Sequence, residues 1–505
     1  MRLLSLSNIC NSSCLPLVPL VLPWLNPFAP GPTPSVGPML FSWLCAAIVA
    51  LLWVGMERAA FAGSASRCIA NAWLTAALLS CLIAMAQYFG YSASLAPWVS
   101  PTGLGEAYGN LRQRNQFATL TSIGLLALLW QLAQPRGSRA QGWLVLAGML
   151  LALGNAASGS RTGLMQWVLI AALMGVWHRV LARRVWVVGI AAVGFYLLAV
   201  RALPWVLELA TGFQAPGLLG RLQEDVGCSS RRVLWANVLH LIAQKPWLGW
   251  GWGELDYVHF ITLYPSERFC DILDNAHNLP LHLAVELGIP VAVLVCAALL
   301  RWVWLGKPWQ ATEPTAQLAW GVLAVVGLHS LVEYPLWYGP FQMAVGLSMG
   351  LLALSGPSAR LGDAKRSLAL VLVGAVALVV TALLAYSAWD YRRVSQLYLA
   401  QESRLSDYQT DTLDKVRDSR LFRDQVAFAE LTTTPITAAN AELMHALALD
   451  LLHFSPEPRV IEKVIESAVM LNRDEEALGY LVRYRAAFAQ AHANWAEASR
   501  GHKRP

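Results

Sequence analysis

The amino-acid sequence predicts an all-α, polytopic transmembrane helical bundle with a large loop on the outer side of the membrane and a small soluble helical domain near its C-terminal end. Hydrophobic residues make up 56% of the 505 residues, and charged residues make up only 13%. A soluble domain usually contains ~25% charged residues. Long apolar runs recur along the chain, and a bilayer accepts such runs only as helices, because their backbone groups must be satisfied internally.

About 11 apolar runs approach the length that a membrane span needs, and a count of about 12–13 stays open because several runs are short. The predicted spans are 12–27, 39–55, 70–89, 118–134, 142–157, 163–178, 185–203, 278–300, 316–334, 340–356 and 368–389. With the N-terminus placed in the cytoplasm, every second loop is basic, as the positive-inside rule requires. The inner loops carry Arg58, Arg67, Arg136, Arg139, Arg179, Arg183, Arg184, Arg301, Lys307, Arg360, Lys365 and Arg366.

Two domains are predicted. Residues 1–390 form the transmembrane domain, including a long outer loop at 204–276 in which acidic residues outnumber basic ones. Residues 391–505 are charged and polar, with helical periodicity, and the odd number of spans places them outside. They are interpreted either as degenerate helical repeats or as a plain helical cap. The net charge of +6 does not indicate nucleic-acid binding, because the basic residues are spread over short loops.

Several polar clusters whose side chains could bind a ligand or take part in a reaction lie on the predicted outer side of the membrane. The segment 110–116 contains Arg112, Gln113, Asn115 and Gln116 at a membrane edge, where amides and guanidiniums can bind phosphate or sugar hydroxyls. A solvated loop with anchoring arginines is the alternative.

Arginines mark two further outer clusters. Arg161 lies in the short turn 158–163 against the positive-inside pattern, which suggests an anionic partner; simple snorkelling is the alternative. Arg231 and Arg232 open a predicted helix that a Gly-rich turn, 246–253, closes, and those glycines permit tight backbone geometry and close ligand approach. No strand–helix unit surrounds them, so a dinucleotide site is rejected.

The segment 274–288 lies where the long loop re-enters the membrane. His277, His282 and Glu286 are four to five residues apart on a predicted helical surface. A histidine at this edge is a natural general base, although a histidine hydrogen-bonded within the bundle is the alternative. A metal is not expected, because the histidine spacing is one residue longer than in zinc-binding helices.

The outer end of the ninth predicted span carries an acid among aromatic residues. Glu333 is a functional candidate because it lies at membrane depth. Tyr334, Trp337 and Tyr338 are interpreted either as platforms for sugar rings or as an interfacial aromatic belt. In the long loop, Cys228 and Cys270 are either a disulfide pair or two unrelated buried thiols.

Taken together, these motifs resemble the bacterial O-oligosaccharyltransferases (PglL-like) of the O-antigen ligase and polymerase superfamily. The resemblance covers about 105–390 and rests on the motifs Arg112-Gln113-x-Asn115-Gln116, Ser160-Arg161-Thr162-Gly163, Arg231…Trp235, Asn275-Ala276-His277-Asn278 and Glu333-Tyr334-Pro335-Leu336-Trp337. The family commonly has proline where this chain has Arg114. The arginine doublet leaves the register of the family arginine open, with Arg231 favoured over Arg232.

The resemblance implies a metal-independent and cofactor-independent glycosyl transfer at the periplasmic face of the inner membrane. The donor would be an oligosaccharide on undecaprenyl pyrophosphate, and the acceptor a Ser or Thr hydroxyl of a periplasmic protein such as pilin. His277 would act as general base, with Glu333 orienting it or binding sugar. The donor pyrophosphate would be bound by Arg161, Arg231, Arg232 and Arg112. The substrates would be bound by Gln113, Asn115, Gln116, Asn278, Tyr334, Trp337 and Tyr338.

Two other functions stay open at this stage. The same chemistry would serve an O-antigen ligase, with lipid A core as acceptor, or a glycan polymerase. A non-catalytic transporter is the third reading, but transport predicts polar residues at mid-bilayer, whereas the candidates here cluster at one face.

Overall fold

The structure is a computed structural model that describes residues 16–54, 58–135, 138–214, 227–355 and 363–501. These residues form twenty α-helices, several short 3-10 helices and no strand. The helices of the first half are α1 Leu17–Leu25, α2 Val36–Val54, α3 Arg58–Tyr88, α4 Arg114–Ala133, α5 Ser138–Ser158, α6 Arg161–Val176, α7 Arg183–Thr211, α8 Arg231–Gln244 and α9 Leu255–Ile261. They are followed by α10 Leu279–Leu287, α11 Ile289–Gly306, α12 Pro314–Ser330, α13 Gly339–Ser355, α14 Asp363–Ser395, α15 Thr412–Val416, α16 Arg423–Thr433, α17 Ala441–Leu452, α18 Pro458–Met470, α19 Asp474–Ala487 and α20 Ala489–Gly501.

Seven helices in the described part of the chain are long and apolar enough to cross a bilayer. These segments are Val36–Val54, Ala65–Tyr88, Arg114–Ala133, Gln141–Ser158, Arg183–Thr211, Ile289–Gln310 and Ser367–Tyr398. Two shorter apolar helices, α6 and α13, accompany them. The predicted all-helical, multi-pass membrane architecture is confirmed, and the number of spans stays a prediction.

One predicted span needs correction. The run 278–300 is not a single helix: α10 ends at Leu287, Gly288 has a φ of +87°, and α11 begins at Ile289. The apolar run continues through Gly288 without a change in composition, so hydropathy alone could not detect the break. The first predicted span, 12–27, is described only from residue 16, and its helix α1 contains nine residues.

The chain divides into two compact units. The first comprises residues 1–224 and 301–385, and the second comprises 225–300 and 386–505. In the first unit, helix α4 is the central element, because nearly all of its side chains are buried by its neighbours. Its apolar residues are interspersed with the small polar residues Thr119, Thr121 and Ser122, as expected for a helix buried on every side.

The second unit has two main apolar cores. One joins helices α8, α9 and α10 to the first turn of α11 through Leu234, Leu255, Val285 and Ala292. The other is formed by α16 to α19, each packed on the next, and it also takes in Phe260 of α9. The helix from the long loop and the C-terminal helices therefore share one core, although more than 150 residues separate them in sequence.

Candidate functional site

The first polar motif forms the entrance to helix α4. Gln113 is the N-cap of this helix, and its Oε1 accepts a hydrogen bond of 3.0 Å from the backbone N–H of Gln116. Arg112 has a left-handed φ of +59°, and its guanidinium donates to the carbonyl of Pro27. Gln116 is buried. The structure thus shows Arg112 and Gln113 fixing the start of α4.

Asn115 connects three of the motifs within the first unit. Its Nδ2 donates to Oε1 of Glu333 at 3.1 Å, and its Oδ1 accepts from Oγ of Ser160 at 2.6 Å. Ser160 is the N-cap of α6, where its Oγ also accepts from the N–H of Gly163 at 3.0 Å. Arg161 is the first residue of that helix. Asn115 therefore holds the Glu333 carboxylate and the arginine-bearing helix end in one fixed arrangement.

A buried polar network continues inward from this point. Thr119 lies 2.9 Å from Nδ1 of His329, and Gln166 donates to Thr119 at 2.8 Å and to the carbonyl of Val325 at 3.0 Å. Ser122 donates to Oε1 of Gln166 at 3.1 Å. Sequence reasoning did not identify this network as part of the site. Its only sequence signal was the presence of hydroxyl and amide groups inside apolar runs, which does not reveal their partners.

We expect Asn115→Asp to destabilise the first unit by about 1–3 kcal/mol, because a carboxylate would replace the amide donor facing the buried Glu333 and leave two carboxylate oxygens opposed. Thermal unfolding of the purified protein in detergent measures the loss. A double-mutant cycle of Asn115→Ala with Ser160→Ala tests the arrangement further, because alanine at position 115 removes the acceptor of the Ser160 hydroxyl. Additive losses in that cycle would contradict the cross-link, because contacting residues should couple.

The aromatic residues after Glu333 form a compact cluster around the 3-10 helix Pro335–Trp337. The rings of Tyr334 and Tyr338 are stacked with centroids 6.0 Å apart, and Trp337 meets Tyr334 edge-on at 5.7 Å. Trp337 is 41% exposed, so the cluster presents an aromatic surface directly beside a buried carboxylate. This is a suitable combination for a sugar, whose rings pack on aromatic faces while its hydroxyls bind carboxylates.

In the second unit, helix α8 begins with the predicted arginine pair. Ser230 is its N-cap, Arg231 is half-buried and Arg232 is exposed. The preceding Cys228 is bonded to Cys270, with Cα atoms 5.4 Å apart. Asn237 of the same helix binds the segment just before Cys270. Its Nδ2 donates to the carbonyl of Glu267, and its Oδ1 accepts from the N–H of Phe269. The start of α8 is thus tied on both sides.

His277 lies in a tight turn immediately before α10. Its φ is +49°, a left-handed conformation that is uncommon for residues other than glycine, and its N–H donates to Oδ1 of Asn275 at 2.8 Å. Asn278 is the N-cap of α10 and accepts from the N–H of Leu281 at 3.0 Å. Trp235 of α8 donates from Nε1 to the carbonyl of Ala276 at 3.1 Å. The backbone that presents His277 is therefore fixed from three directions.

The Gly-rich turn binds protein backbone. The N–H groups of Trp250 and Gly251 donate to the carbonyls of Val285 and Glu286 at 2.9 and 3.0 Å, and the N–H of Ile289 donates to the carbonyl of Pro246 at 2.9 Å. A Cβ on Gly249 would overlap the carbonyl of Glu286. The absence of a side chain at Gly249 thus lets the turn lie directly on the end of α10, in agreement with the tight backbone geometry that the glycines predict. Close approach of a ligand to this turn stays a prediction.

Several ionisable groups lie near this turn. His282 and Glu286 are buried one helical turn apart, with Nε2 and Oε2 separated by 3.5 Å. Burial lowers the pKa of His282 and raises that of Glu286, so both favour their neutral forms. Burial, reinforced by the charges of Asp274 and Glu254, also raises the pKa of Asp256 to about 7. His282 and Glu286 thus form a buried pair within α10, and His277 lies outside their helix.

The raised pKa of Asp256 predicts a pH-dependent stability. An unfolded aspartate ionises near pH 3.8, whereas the folded one stays protonated up to about pH 7, so its stabilising contribution is present at acid pH and declines as pH rises to about 7. We expect Asp256→Asn, which mimics the protonated form, to be more stable than the wild type by about 1–3 kcal/mol at pH 7.5. The difference should shrink as pH falls to 4. Thermal unfolding across this pH range measures it, and a pH-independent difference would contradict the assignment.

The candidate residues are thus divided between the two units. Asn115, Glu333, Arg161 and the aromatic cluster belong to the first, whereas Arg231, Arg232, His277 and Asn278 belong to the second. Each group is fixed by capping side chains and short hydrogen bonds within its own unit.

Three family models match this chain. Residues 145–296, which contain Arg161, Arg231 and His277, match the model described as O-antigen ligase. Residues 107–132, which contain the motif at the start of α4, match the protein glycosylation ligase model. Residues 317–502, which begin before Glu333, match the C-terminal model of the virulence factor membrane-bound polymerase. The resemblance to the O-antigen ligases and protein glycosylation ligases is confirmed.

Two curated relatives that this chain resembles are named O-oligosaccharyltransferases. The general O-oligosaccharyltransferase of Acinetobacter baylyi is 28% identical over 292 residues, covering 56% of this chain and 49% of the relative. The ComP-specific O-oligosaccharyltransferase of the same organism is 26% identical over 252 residues, covering 49% and 44%. The chain thus spans about half the length of the curated relatives it matches. No solved structure gives a significant match to the ligase-like chain.

Proposed function

We propose that the protein is an O-linked oligosaccharyltransferase of the bacterial inner membrane. It transfers a glycan from undecaprenyl pyrophosphate to a Ser or Thr hydroxyl of a periplasmic protein such as pilin. The observation that carries the proposal is the His277 turn: a left-handed histidine immediately before helix α10, held by Asn275, Asn278 and Trp235. Strained backbone of this kind is concentrated at functional sites.

The chemistry follows from the groups available. A hydroxyl is a poor nucleophile at neutral pH, so His277 accepts its proton while the oxygen attacks the anomeric carbon. The bond to the lipid pyrophosphate breaks as the new glycosidic bond forms, which inverts the configuration at that carbon. The leaving pyrophosphate is already a stable anion, and it needs positive charge more than it needs a general acid.

The arginines supply that charge. Arg231 lies four residues before Trp235 and so shares the helix face that contacts the His277 turn. Its half-buried position favours it over the exposed Arg232 as the phosphate ligand. Arg161 stands at the N-terminus of α6, where the helix dipole adds to its own charge. Planar guanidinium groups match phosphate oxygens in pairs.

The first unit also has room for a lipid chain. A cavity of about 280 Å³ lies between α2 and α13 and is lined mainly by Ala46, Ala50, Trp53, Met343 and Leu347. Its end at Gly339 directly follows the aromatic cluster beside Glu333. We propose that part of the polyprenyl tail of the donor lies here while Glu333 and the aromatic rings bind its sugars.

We expect charge reversal of Arg161 to weaken donor binding by about 2–4 kcal/mol, because a carboxylate would face the pyrophosphate. Equilibrium binding of a lipid-linked glycan to the purified Arg161→Glu variant measures the effect. Arg179, a basic residue at the predicted inner side, provides the control when it is reversed in the same way. Unchanged donor affinity in Arg161→Glu would show that this arginine only anchors its helix.

The O-antigen ligase match to residues 145–296 favours one alternative acceptor, lipid A core. A direct assay separates the two. Purified protein is supplied with a lipid-linked glycan and either a Ser-containing pilin or lipid A core, and the glycosylated product is identified by mass spectrometry. We expect glycan on the pilin. Glycan found only on lipid A core would overturn the proposed acceptor and leave the same transfer chemistry in place.

A further inference from the structure

The Gly-rich turn carries three large apolar side chains that the protein leaves uncovered. Trp247 is 75% exposed, Leu248 is 86% exposed and Trp252 is 68% exposed. They project from a turn whose backbone is hydrogen-bonded to the end of α10 and the start of α11 through Pro246, Trp250 and Gly251. Scattered exposed apolar residues are ordinary, but three on one rigid eight-residue turn indicate a surface that something else covers.

The position of the turn identifies what covers it. The carbonyl of Pro246 accepts a hydrogen bond of 2.9 Å from the N–H of Ile289, the first residue of the membrane span α11. A Cβ on Gly288 would overlap the carbonyl of Trp247, so the turn touches the chain at the point where it enters the bilayer. Val293 and Leu294, in the first turns of α11, are 59% and 69% exposed, as expected for a lipid-facing surface.

We propose that Trp247, Leu248 and Trp252 form an interfacial anchor that inserts into the headgroup region of the lipid bilayer. Indole rings favour this region because one edge is apolar and the N–H can still contact water. The basic side chain beside the turn fits the same location: Nζ of Lys245 lies 4.0 Å from the ring centroid of Trp250, where it can meet lipid phosphates.

The anchor also sets the depth of the catalytic turn, a consequence that rests on the proposed function. Helix α10 has nine residues and is therefore about 13 Å long. The anchored turn grips its C-terminal end, and His277 precedes its N-terminal end. Insertion of the tryptophans holds His277 at a constant distance from the membrane surface, where the pyrophosphate of a lipid-linked donor lies.

Lipid-dependent quenching tests the anchor directly. Leu248→Cys is labelled with an environment-sensitive fluorophore in the full chain, after the cysteines other than Cys228 and Cys270 have been replaced by serine or alanine. The protein is reconstituted into vesicles of phosphatidylethanolamine and phosphatidylglycerol. We expect spin-labelled lipids to quench the label strongly and aqueous iodide to quench it several-fold less than a label at Leu443→Cys, which is 66% exposed on α17. Trp252→Cys should behave as Leu248→Cys does.

Labels at Leu248 and Trp252 that iodide quenches as readily as the label at Leu443 would overturn the anchor. Protection from iodide that requires added acceptor protein, without quenching by spin-labelled lipid, would also overturn it and would identify a protein-docking surface instead. The measurement needs no catalysis, so it separates the two proposals. If spin-labelled lipid quenches the labels but the protein transfers no glycan, the anchor is retained and the proposed function is removed. If the protein transfers glycan but the labels are exposed to water, the proposed function is retained and the anchor is removed.

Discussion

Replacement of His277 by asparagine is expected to reduce glycan transfer by about 10²–10⁴-fold, the usual contribution of a general base. Asparagine is chosen because it adopts left-handed backbone conformations more readily than most residues, and His277 has a φ of +49°. The substitution therefore removes the base while the turn between Asn275 and Asn278 is preserved. Initial rates of transfer from a lipid-linked glycan to an acceptor protein measure the loss.

The matched control for this variant is His240→Asn. His240 lies on α8 in the same unit, and its Nε2 forms a hydrogen bond with the side chain of Gln244 on the same helix. This variant should retain most of its transfer activity. Both variants should unfold at temperatures close to that of the wild type. Transfer by His277→Asn at the wild-type rate would exclude His277 as the base.

The second large effect concerns stability. We expect Gly249→Ala to destabilise the second unit by about 3–5 kcal/mol, because it combines an unfavourable positive φ with overlap between the new Cβ and the carbonyl of Glu286. The neighbouring backbone cannot yield easily, since the N–H of Gly251 is bonded to that same carbonyl. Thermal or denaturant unfolding of the purified protein measures the change.

The turn itself offers a control that separates the two causes. Gly253 has a φ of +81°, but a Cβ there would meet no atom within 4 Å. Gly253→Ala should therefore show only the conformational cost, about 1–2 kcal/mol. Equal losses in the two variants would mean that backbone conformation accounts for the whole effect and that the close approach to α10 contributes nothing.

Hydropathy predicted the positions of most membrane helices because a bilayer imposes a length and a composition on each one. It failed at Gly288, where the partner that ends α10 is a turn some 40 residues earlier in the chain. A glycine inside an apolar run gives no signal of this kind. The glycines of that turn predicted both tight backbone geometry and close ligand approach, since sequence cannot distinguish backbone from substrate at a close approach. The structure shows the first of these, with the end of α10 as the partner.

The candidate site, too, was only partly predictable from the sequence. Residue type and position in the motif identified Arg161, Arg231, His277 and Glu333 as functional candidates, because charged groups at membrane depth require an explanation. The linking role of Asn115 was not predictable. It depends on Ser160 and Glu333, which lie 45 and 218 residues away, and only the folded chain brings their side chains within hydrogen-bond distance.

The shared core around Phe260 has a consequence for how this protein is made. Helix α9 is synthesised well before the helices with which it shares this core, whose buried residues include Leu452 and Val460, because the later membrane helices lie between them in the sequence. Such long-range closure is slow, because the intervening chain must be ordered before any contact forms. Until the C-terminal helices arrive, α9 carries an uncovered aromatic surface. Transiently exposed apolar surface of this kind favours aggregation, so a chain that ends before α16 should aggregate more readily than the full chain.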